Sequence, residues 1–199
     1  MTAPSKRVGR CMQHTRQLLQ HAFIEVAHEK GLAATTVQNI TQRADVNRGT
    51  FYLHFEDKYA LLQVIIHEHF HHLLTRTLTP HPQWDRSSLQ RFIQAVLEDF
   101  KRKYRHLLRS RVFASSMERA TCEALAQLLL PWLKQDQSRG TRELVPVETI
   151  ARIMSWTLFE AAVQWGQETT TVSSEQMAHD IVLVMTEGVT RLAPFAFPE

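Results

Sequence analysis

Cysteine is scarce in this sequence, and long apolar runs are missing from it. The two cysteines, Cys11 and Cys122, form no C-x-x-C pair, and two isolated thiols in 199 residues are typical of a reducing compartment. No apolar run reaches the roughly 20 residues that a membrane-spanning helix needs, and the N-terminal stretch MTAPSKRVGR lacks the apolar segment of a signal peptide. These absences predict a cytoplasmic protein without a membrane segment.

The sequence also lacks the alternation of apolar and polar residues that strands require. Apolar residues recur instead at helical spacing, as in the stripe formed by Leu19, Ala22, Phe23 and Val26. Because 44% of the residues are hydrophobic, the chain can bury a substantial core. We therefore expect an all-α protein.

Capping residues predict where the first helices begin and end. Thr15 as N-cap and Gly31 as the stop predict a first helix over residues 16–30. Thr35 and Asn47 are the expected N-caps of two short helices that follow.

Longer helices are expected in the rest of the chain. A fourth helix begins near Asp57 and ends before Pro80, because proline cannot continue a helix interior. Apolar stripes and two polar loops predict the later helices, which include segments at roughly 116–133, 147–167 and 174–192.

The net positive charge of the chain lies in its first third. Residues 1–58 contain eight Lys or Arg and five Asp or Glu, whereas the remaining residues carry 15 of each sign. A local cationic surplus is typical of a segment that meets a polyanion, although it also occurs in basic tails that only aid solubility.

Two short helices joined by a tight turn are the layout of a helix-turn-helix, whose second helix enters the DNA major groove. Phe51 and Phe55, four residues apart, mark the buried side of the helix after Asn47. Arg48 then points outward, where it can donate two hydrogen bonds to a guanine. We expect a DNA interface made of Thr35, Thr36, Asn47, Arg48, Gly49, Thr50, Tyr52, His54 and Lys58.

The stretch TTVQNITQRADVNRGTFYLHFEDKYALL, residues 35–62, closely resembles the DNA-binding domain of tetracycline-repressor (TetR) family regulators. The resemblance covers about residues 12–75. Its most specific part is VNRGTFYLHFEDK, which has the family's pattern at Tyr52, His54, Phe55 and Lys58.

Two positions depart from that family pattern. Asp45 stands in the turn where such proteins usually have glycine, and aspartate tolerates the left-handed conformation better than most residues. Val37 is apolar where some relatives present a polar side chain that contacts bases.

The resemblance implies a helix-turn-helix domain at residues 12–58, joined by a linking helix to a ligand-binding and dimerisation domain at residues 59–199. It also implies a homodimer on a palindromic double-stranded DNA operator, from which a small-molecule inducer releases a repressor. An activator, or an adaptor regulated by a protein partner, is the alternative. We expect no cofactor and no contact with a membrane.

Two sets of C-terminal residues are candidates for the ligand pocket and the dimer interface. The pocket candidates form an aromatic-rich set with few charges, which could equally be ordinary core: Phe92, Phe100, Tyr104, Phe113, Trp132, Trp156 and Phe159. The last two helices are apolar around more than half of their circumference, which fits half of a four-helix dimer interface or two central helices of a monomer. The interface candidates are Ile153, Ala161, Trp165, Ile181, Met185 and Gly188.

The fourth helix contains His67, Glu68 and His71 in the spacing H-E-x-x-H, which zinc metallohydrolases use. Its apolar stripe predicts that both histidines face solvent, and no third ligand motif follows. The chain is therefore expected to be no enzyme, with no catalytic residue and no metal site. His69 lies on the apolar stripe and is expected to be a hydrogen-bonded core histidine.

Overall fold

The computed structural model contains helices and the turns between them in the part of the chain that it describes. The chain divides into two compact units. The first contains residues 1–65 and 111–117, and the second contains residues 66–110 and 118–199. The described residues are 4–78, 85–107, 111–136, 145–167 and 172–188. Within these ranges there is no strand, which agrees with the predicted all-α class.

The first unit is built around three helices and the start of a fourth. Its elements are α1 (Pro4–Lys30), α2 (Val37–Arg43), α3 (Arg48–Tyr52) and the first part of α4 (Lys58–Thr77). Helix α1 packs against α2, and α2 against α3. The side chains of Leu19, Ile40, Phe51 and Leu61 are fully buried and form the centre of this small core.

Two predicted helix starts in this unit are wrong. Thr15 lies inside α1 rather than at its N-cap, and its hydroxyl donates to the Cys11 carbonyl one turn earlier, at 3.0 Å. Thr36, not Thr35, caps α2, because its side-chain oxygen accepts a hydrogen bond from the Asn39 N–H at 3.1 Å. The end of α1 before Gly31 is confirmed, since Gly31 has φ +78° and continues no helix.

The second unit consists of longer helices packed on α5. It contains the rest of α4, α5 (Arg86–Leu107), most of α6 (Arg111–Asp136), α7 (Val147–Gln167) and α8 (Ser174–Glu187). Helix α5 packs against both α7 and α8. Its buried side chains include Phe92, Ile93, Val96 and Leu97, which follow the i, i+1, i+4, i+5 pattern of one helix face.

The predicted bounds of the later helices are partly right. Helix α7 has the predicted bounds of 147–167. Helix α6 begins five residues before the predicted Ser116 and continues past Pro131 to Asp136. Helix α8 ends at Glu187 rather than at 192, because Gly188 takes φ +75° and terminates it.

A buried carboxylate joins α4 to α5 inside the second unit. Asp99 is 1% exposed, and its two oxygens lie 2.7 Å from His69 Nε2 and 2.8 Å from an Arg102 guanidinium nitrogen. The prediction of a hydrogen-bonded His69 is confirmed. No helix in the described ranges is both long and apolar enough to cross a membrane.

Candidate nucleic-acid interface

Side-chain caps fix the two short helices of the first unit. The Thr36 hydroxyl accepts from the Asn39 N–H and donates to Asn39 Oδ1 at 2.8 Å, which closes the first turn of α2. At the start of α3, Asn47 Oδ1 accepts a hydrogen bond from the Gly49 N–H at 2.8 Å. The Asn47 cap fixes the start of α3, which has only five residues, too few to be stable alone.

The turn between α2 and α3 passes through Asp45, which has φ +52°. The predicted left-handed conformation is thus confirmed, and Asp45 is the one non-glycine residue with positive φ in the described ranges. The Val46 N–H closes the turn on the Thr41 carbonyl at 3.0 Å. An open cleft of about 790 Å³ lies along this turn and is lined by Gln38, Thr41, Gln42, Asp45, Val46, Asn47 and Arg48.

Two phenylalanines hold α3 from behind, as predicted. Phe51 is fully buried and Phe55 is 5% exposed, and their ring centroids lie 5.8 Å apart. The Arg16 guanidinium of α1 lies over the Phe55 ring, 5.1 Å from its centroid. With these rings inside, the opposite side of α3 faces solvent.

Most of the predicted DNA-contacting residues are brought together on that solvent side. Arg48, Gly49 and Tyr52 are exposed on α3, and Tyr52 retains 52% of its accessible surface. Thr50 and His54 are half-buried. The two capping residues, Thr36 and Asn47, are exposed at the starts of their helices.

Two other predicted DNA contacts are corrected by the structure. Thr35 is fully buried, and its hydroxyl donates to the Gly31 carbonyl at 2.9 Å, so its side chain cannot meet a phosphate. The Lys58 ammonium group lies 2.8–3.3 Å from the carbonyls of Leu32, Ala33 and Thr35. An ammonium group has three donors, and these carbonyls use all of them, so Lys58 ties α4 to the α1–α2 connection.

Sequence reasoning missed three exposed residues of this region. Gln38 and Gln42 line the cleft because Ile40 and Ala44 occupy the buried side of α2, which the apolar spacing could have indicated. Leu53, the C-cap of α3, is 78% exposed. A leucine carries no polar signal, so residue type alone does not predict its place on this exposed surface.

The sequence also does not predict the role of Arg43, whose guanidinium forms ion pairs within the first unit. Its guanidinium bonds Glu29 at 2.7 Å and Glu25 at 2.9 Å, which fastens α2 to α1. The hydrogen bond from Arg43 lowers the pKa of Glu29, and the two carboxylates raise the pKa of Arg43. This arginine therefore stays charged and is directed toward α1.

Comparison with known proteins agrees with this geometry. Residues 21–65 match the family model described as bacterial regulatory proteins, tetR family. This part of the chain is therefore similar to TetR-family regulators. The matched residues contain α2, α3 and both phenylalanine anchors.

A curated relative and two solved structures show how far the similarity extends. The transcriptional repressor DhaR of Mycobacterium sp. (strain GP1) is 36% identical over 84 residues, which are 42% of this chain and 34% of DhaR. Among solved structures, a TetR regulator from Streptococcus agalactiae has a TM-score of 0.59 at 21% identity, covering 92% of this chain and 99% of its own. Thermus thermophilus FadR, solved with lauroyl-CoA, has a TM-score of 0.54 at 22% identity, covering 87% and 94%.

These comparisons differ in what they establish. The chain spans about a third or less of the length of the curated relatives that it matches. The structural neighbours cover most of the chain and show that it has the TetR-family fold.

The predicted ligand-binding residues fall into different environments. Phe92, Phe100 and Phe159 are buried, and Phe100 makes ring contacts with Phe159 at 5.7 Å and with Phe70 at 6.2 Å. Phe70, fully buried on α4, was missed because the predicted stripe followed His69 instead.

The remaining pocket candidates are not placed in that aromatic cluster. Trp132 is half-buried, and the side chains of Tyr104 and Phe113 lie outside what the structure describes. Trp156 is 43% exposed on α7, so the prediction that it lines an internal pocket is wrong. The cause is that Leu158 and Phe159 take the buried face of α7 at this level.

The predicted dimer-interface residues also divide into two groups. Trp165 and Ile181 are buried within the second unit, so their assignment to an interface is corrected. Trp165 donates from Nε1 to the Val172 carbonyl at 3.0 Å, and the Lys101 ammonium lies 4.4 Å from its ring centroid. Ile153 is 60% exposed, whereas Ala161, Met185 and Gly188 are half-buried.

The H-E-x-x-H segment lies on the outer part of α4. His71 is exposed, His67 is half-buried, and their rings stack with centroids 6.4 Å apart. The described residues hold no group of three or more His, Cys, Asp or Glu side chains placed to bind a metal ion.

Proposed function

We propose that this protein is a sequence-specific transcriptional repressor that binds DNA through α3. The observation that carries the proposal is the outward face of α3, where Arg48 and Tyr52 are exposed while Phe51 is fully buried behind them. A helix held in this way can enter the major groove, and arginine donates two hydrogen bonds to guanine N7 and O6. DhaR, which is 36% identical to this chain over 84 residues, is named a transcriptional repressor.

In the proposed complex, the first unit supplies both kinds of DNA contact. Arg48 contacts a guanine, and Tyr52 and Thr50 bond base edges or phosphates. Thr36 and Asn47, exposed at the starts of α2 and α3, lie at positions that face the sugar-phosphate backbone. Residues 12–58 would thus form the DNA-binding domain, and residues 59–199 the regulatory domain.

We further propose that the second unit binds a small molecule that releases the DNA. Thermus thermophilus FadR was solved with lauroyl-CoA, and the Bacillus subtilis FadR with stearoyl-CoA. In this chain, the buried rings of Phe70, Phe100 and Phe159 form an apolar aromatic cluster at α4, α5 and α7. A ligand that separates these rings would favour one position of α4 over another, and α4 continues into the first unit.

The protein is proposed to act as a homodimer joined through α7 and α8. Ile153 and Trp156 stand three residues apart on α7 and are 60% and 43% exposed, and Val184 of α8 is 44% exposed. Two such faces related by a two-fold axis can cover each other. A dimer presents two copies of α3, which fits the two half-sites of a palindrome.

The proposed repressor is tested by binding to an operator selected from genomic fragments. The wild-type protein should bind one palindromic fragment with an affinity that falls steeply with salt. Arg48→Ala should weaken that binding by about 1–3 kcal/mol and leave the circular dichroism spectrum unchanged. The matched control, Arg119→Ala, removes an exposed arginine of α6, outside the proposed DNA and dimer interfaces, and should bind normally.

Two results would contradict this assignment. Equal affinity of the wild type for all fragments would argue against specific regulation. Unchanged operator affinity in Arg48→Ala would argue against α3 as the helix that contacts the bases.

The proposed dimer is tested by sedimentation. Trp156→Glu places a charge on the exposed apolar face of α7 and should convert dimers to monomers, because burying an unpaired charge is costly. Gln127→Glu adds the same charge on an exposed position of α6 and should leave the dimer intact. A stable dimer in Trp156→Glu would refute the proposed interface.

A further inference from the structure

The outward face of α3 carries an apolar side chain that is not buried in the core of the protein. Leu53 is 78% exposed, more than any other large hydrophobic residue in the described ranges. Its backbone is still helical, with φ −73° and ψ −20°, and its N–H bonds the Gly49 carbonyl at 3.2 Å. The direction of its side chain therefore follows from the rotation of the helix.

That rotation places Leu53 and Gly49 on the same side of α3. Residues four apart lie one turn above each other on a helix surface. Both are about 160° from Phe51, since each residue advances the helix by roughly 100°. As Phe51 is fully buried, the pair Gly49 and Leu53 occupies the centre of the face that points away from the protein.

Gly49 is not required by the fold of the first unit. A Cβ added at Gly49 would meet only Asn47 Oδ1, at 3.5 Å, which is an ordinary contact distance. Its φ is not positive, so an alanine would fit the backbone. The described residues therefore leave room for a side chain at this position.

The proposed DNA complex explains both residues. The only apolar group that a base pair presents in the major groove is the 5-methyl group of thymine. An exposed leucine at the centre of the groove-facing side matches that group, and a glycine one turn earlier lets the backbone of α3 come close to the base edges. Arg48, exposed beside Gly49, supplies the charge that draws this face to DNA.

We propose that Leu53 specifies a thymine in each half-site by packing on its 5-methyl group, and that Gly49 permits the close approach this contact needs. The inference rests on the proposed DNA-binding function and adds one base preference to it. Arg48 would specify a guanine, and Leu53 a thymine close to it.

The experiment replaces single thymines of the selected operator with uracil, which removes the methyl group and leaves base pairing intact. The wild type should lose about 4-fold in affinity at one symmetric position per half-site, the value expected for one buried methyl group. Leu53→Ala should bind the thymine operator more weakly and show no difference between thymine and uracil at that position. The control Leu18→Ala truncates an exposed leucine of α1 and should discriminate as the wild type does.

A second variant tests the role of the glycine. Gly49→Ala should raise the thermal midpoint, because alanine favours helix, and yet lower operator affinity at least 10-fold by obstructing the approach to the bases. Unchanged affinity in a more stable Gly49→Ala would overturn the close-approach part of the proposal.

The outcomes separate this inference from the function on which it rests. Operator binding that needs Arg48 but ignores every thymine-to-uracil change would overturn the leucine contact and leave the repressor intact. Loss of discrimination in Leu18→Ala as well would also overturn it. Failure to bind any operator would overturn both, as would binding of a protein partner to the Leu53 face.

Discussion

Side-chain bonds between residues two or three positions apart close the short helices of the first unit, whereas bonds between residues far apart in the sequence join helices of the second unit. Asn47 caps Gly49 two residues on, and Thr36 caps Asn39 three residues on. In the second unit, His69 bonds Asp99 across 30 residues, and Arg86 bonds Glu187 across 101. Bonds between neighbouring residues can be predicted from the sequence, whereas bonds between distant residues can be identified only once the fold is known.

The exceptions within the first unit support the same lesson. Lys58 bonds three carbonyls 23–26 residues earlier in the chain, and Arg43 bonds two carboxylates on α1. Lys58 was assigned to DNA from the sequence, and Arg43 was overlooked. Substitutions in both units, and the reactivity of the two cysteines, test how far this contrast between the units holds, from the largest expected effect to the smallest.

The long-range contact of the second unit should be the most costly to remove. Asp99→Ala removes the buried carboxylate that bonds both His69 and Arg102, and losing hydrogen bonds to a charged group costs about 3 kcal/mol. Urea unfolding followed by circular dichroism measures the loss. Glu160→Ala, an exposed carboxylate on α7, is the control and should change stability by less than about 0.5 kcal/mol. Similar values for the two variants would contradict a structural role for Asp99.

Lys58→Met keeps most of the side-chain length and removes the ammonium group. Three carbonyls then lose a charged donor, which should lower the free energy of unfolding by about 2 kcal/mol. Lys30→Met, at the exposed last residue of α1, should lower the free energy of unfolding by only a few tenths of a kcal/mol. If Lys58→Met were as stable as the wild type but bound the operator poorly, the original assignment of Lys58 to DNA would be restored.

Substituting Asp45, the left-handed turn residue, should have a smaller effect on the free energy of unfolding, and it should stabilise the protein. Asp45→Gly should raise the free energy of unfolding by about 0.5–1 kcal/mol, because glycine adopts φ +52° without strain. It should also strengthen operator binding, since the carboxylate lines the same cleft as Arg48. Asp45→Asn removes the charge and keeps the side chain, so it should show the gain in affinity with little gain in stability. Equal stability of all three proteins would show that the turn is unstrained.

The two cysteines should differ in reactivity without any substitution. Cys122 is buried in the second unit, and burial raises the pKa of its thiol from 9.0 to about 12. Cys11 is exposed. A thiol reagent at pH 8 should therefore modify one cysteine in the folded protein and two in urea. Rapid reaction of Cys122 in the folded protein would contradict its burial.

The same thiol makes stability depend on pH. The unfolded chain loses the Cys122 proton near pH 9.0, while the folded protein holds it to about pH 12. The folded state thus binds the extra proton in this interval, and its contribution to stability is complete below pH 9.0 and is lost as the pH rises. Cys122→Ala should show a shallower decline above pH 9.0 in the same unfolding measurement.

The sequence by itself determined the features that depend on neighbouring residues. Helical spacing predicts the all-α class, the bounds of α7 and the burial of Phe51 and Phe55 behind α3. The family resemblance places Asp45 in a turn where glycine is usual, and Asp45 adopts the left-handed conformation expected there. These features follow from contacts within one or two helical turns, so a single stretch of chain contains their cause.

Only the tertiary structure decided which of two equally apolar helix faces is covered. The sequence predicts Trp156 in a ligand pocket and Trp165 in a dimer interface, but α5 lies against the face with Trp165 and leaves Trp156 exposed. The same holds for polar groups, since the Lys58 ammonium is taken by carbonyls that only the fold brings near. Burial and hydrogen bonding are settled by whichever distant segment packs there, and residue spacing along one helix carries no information about that segment.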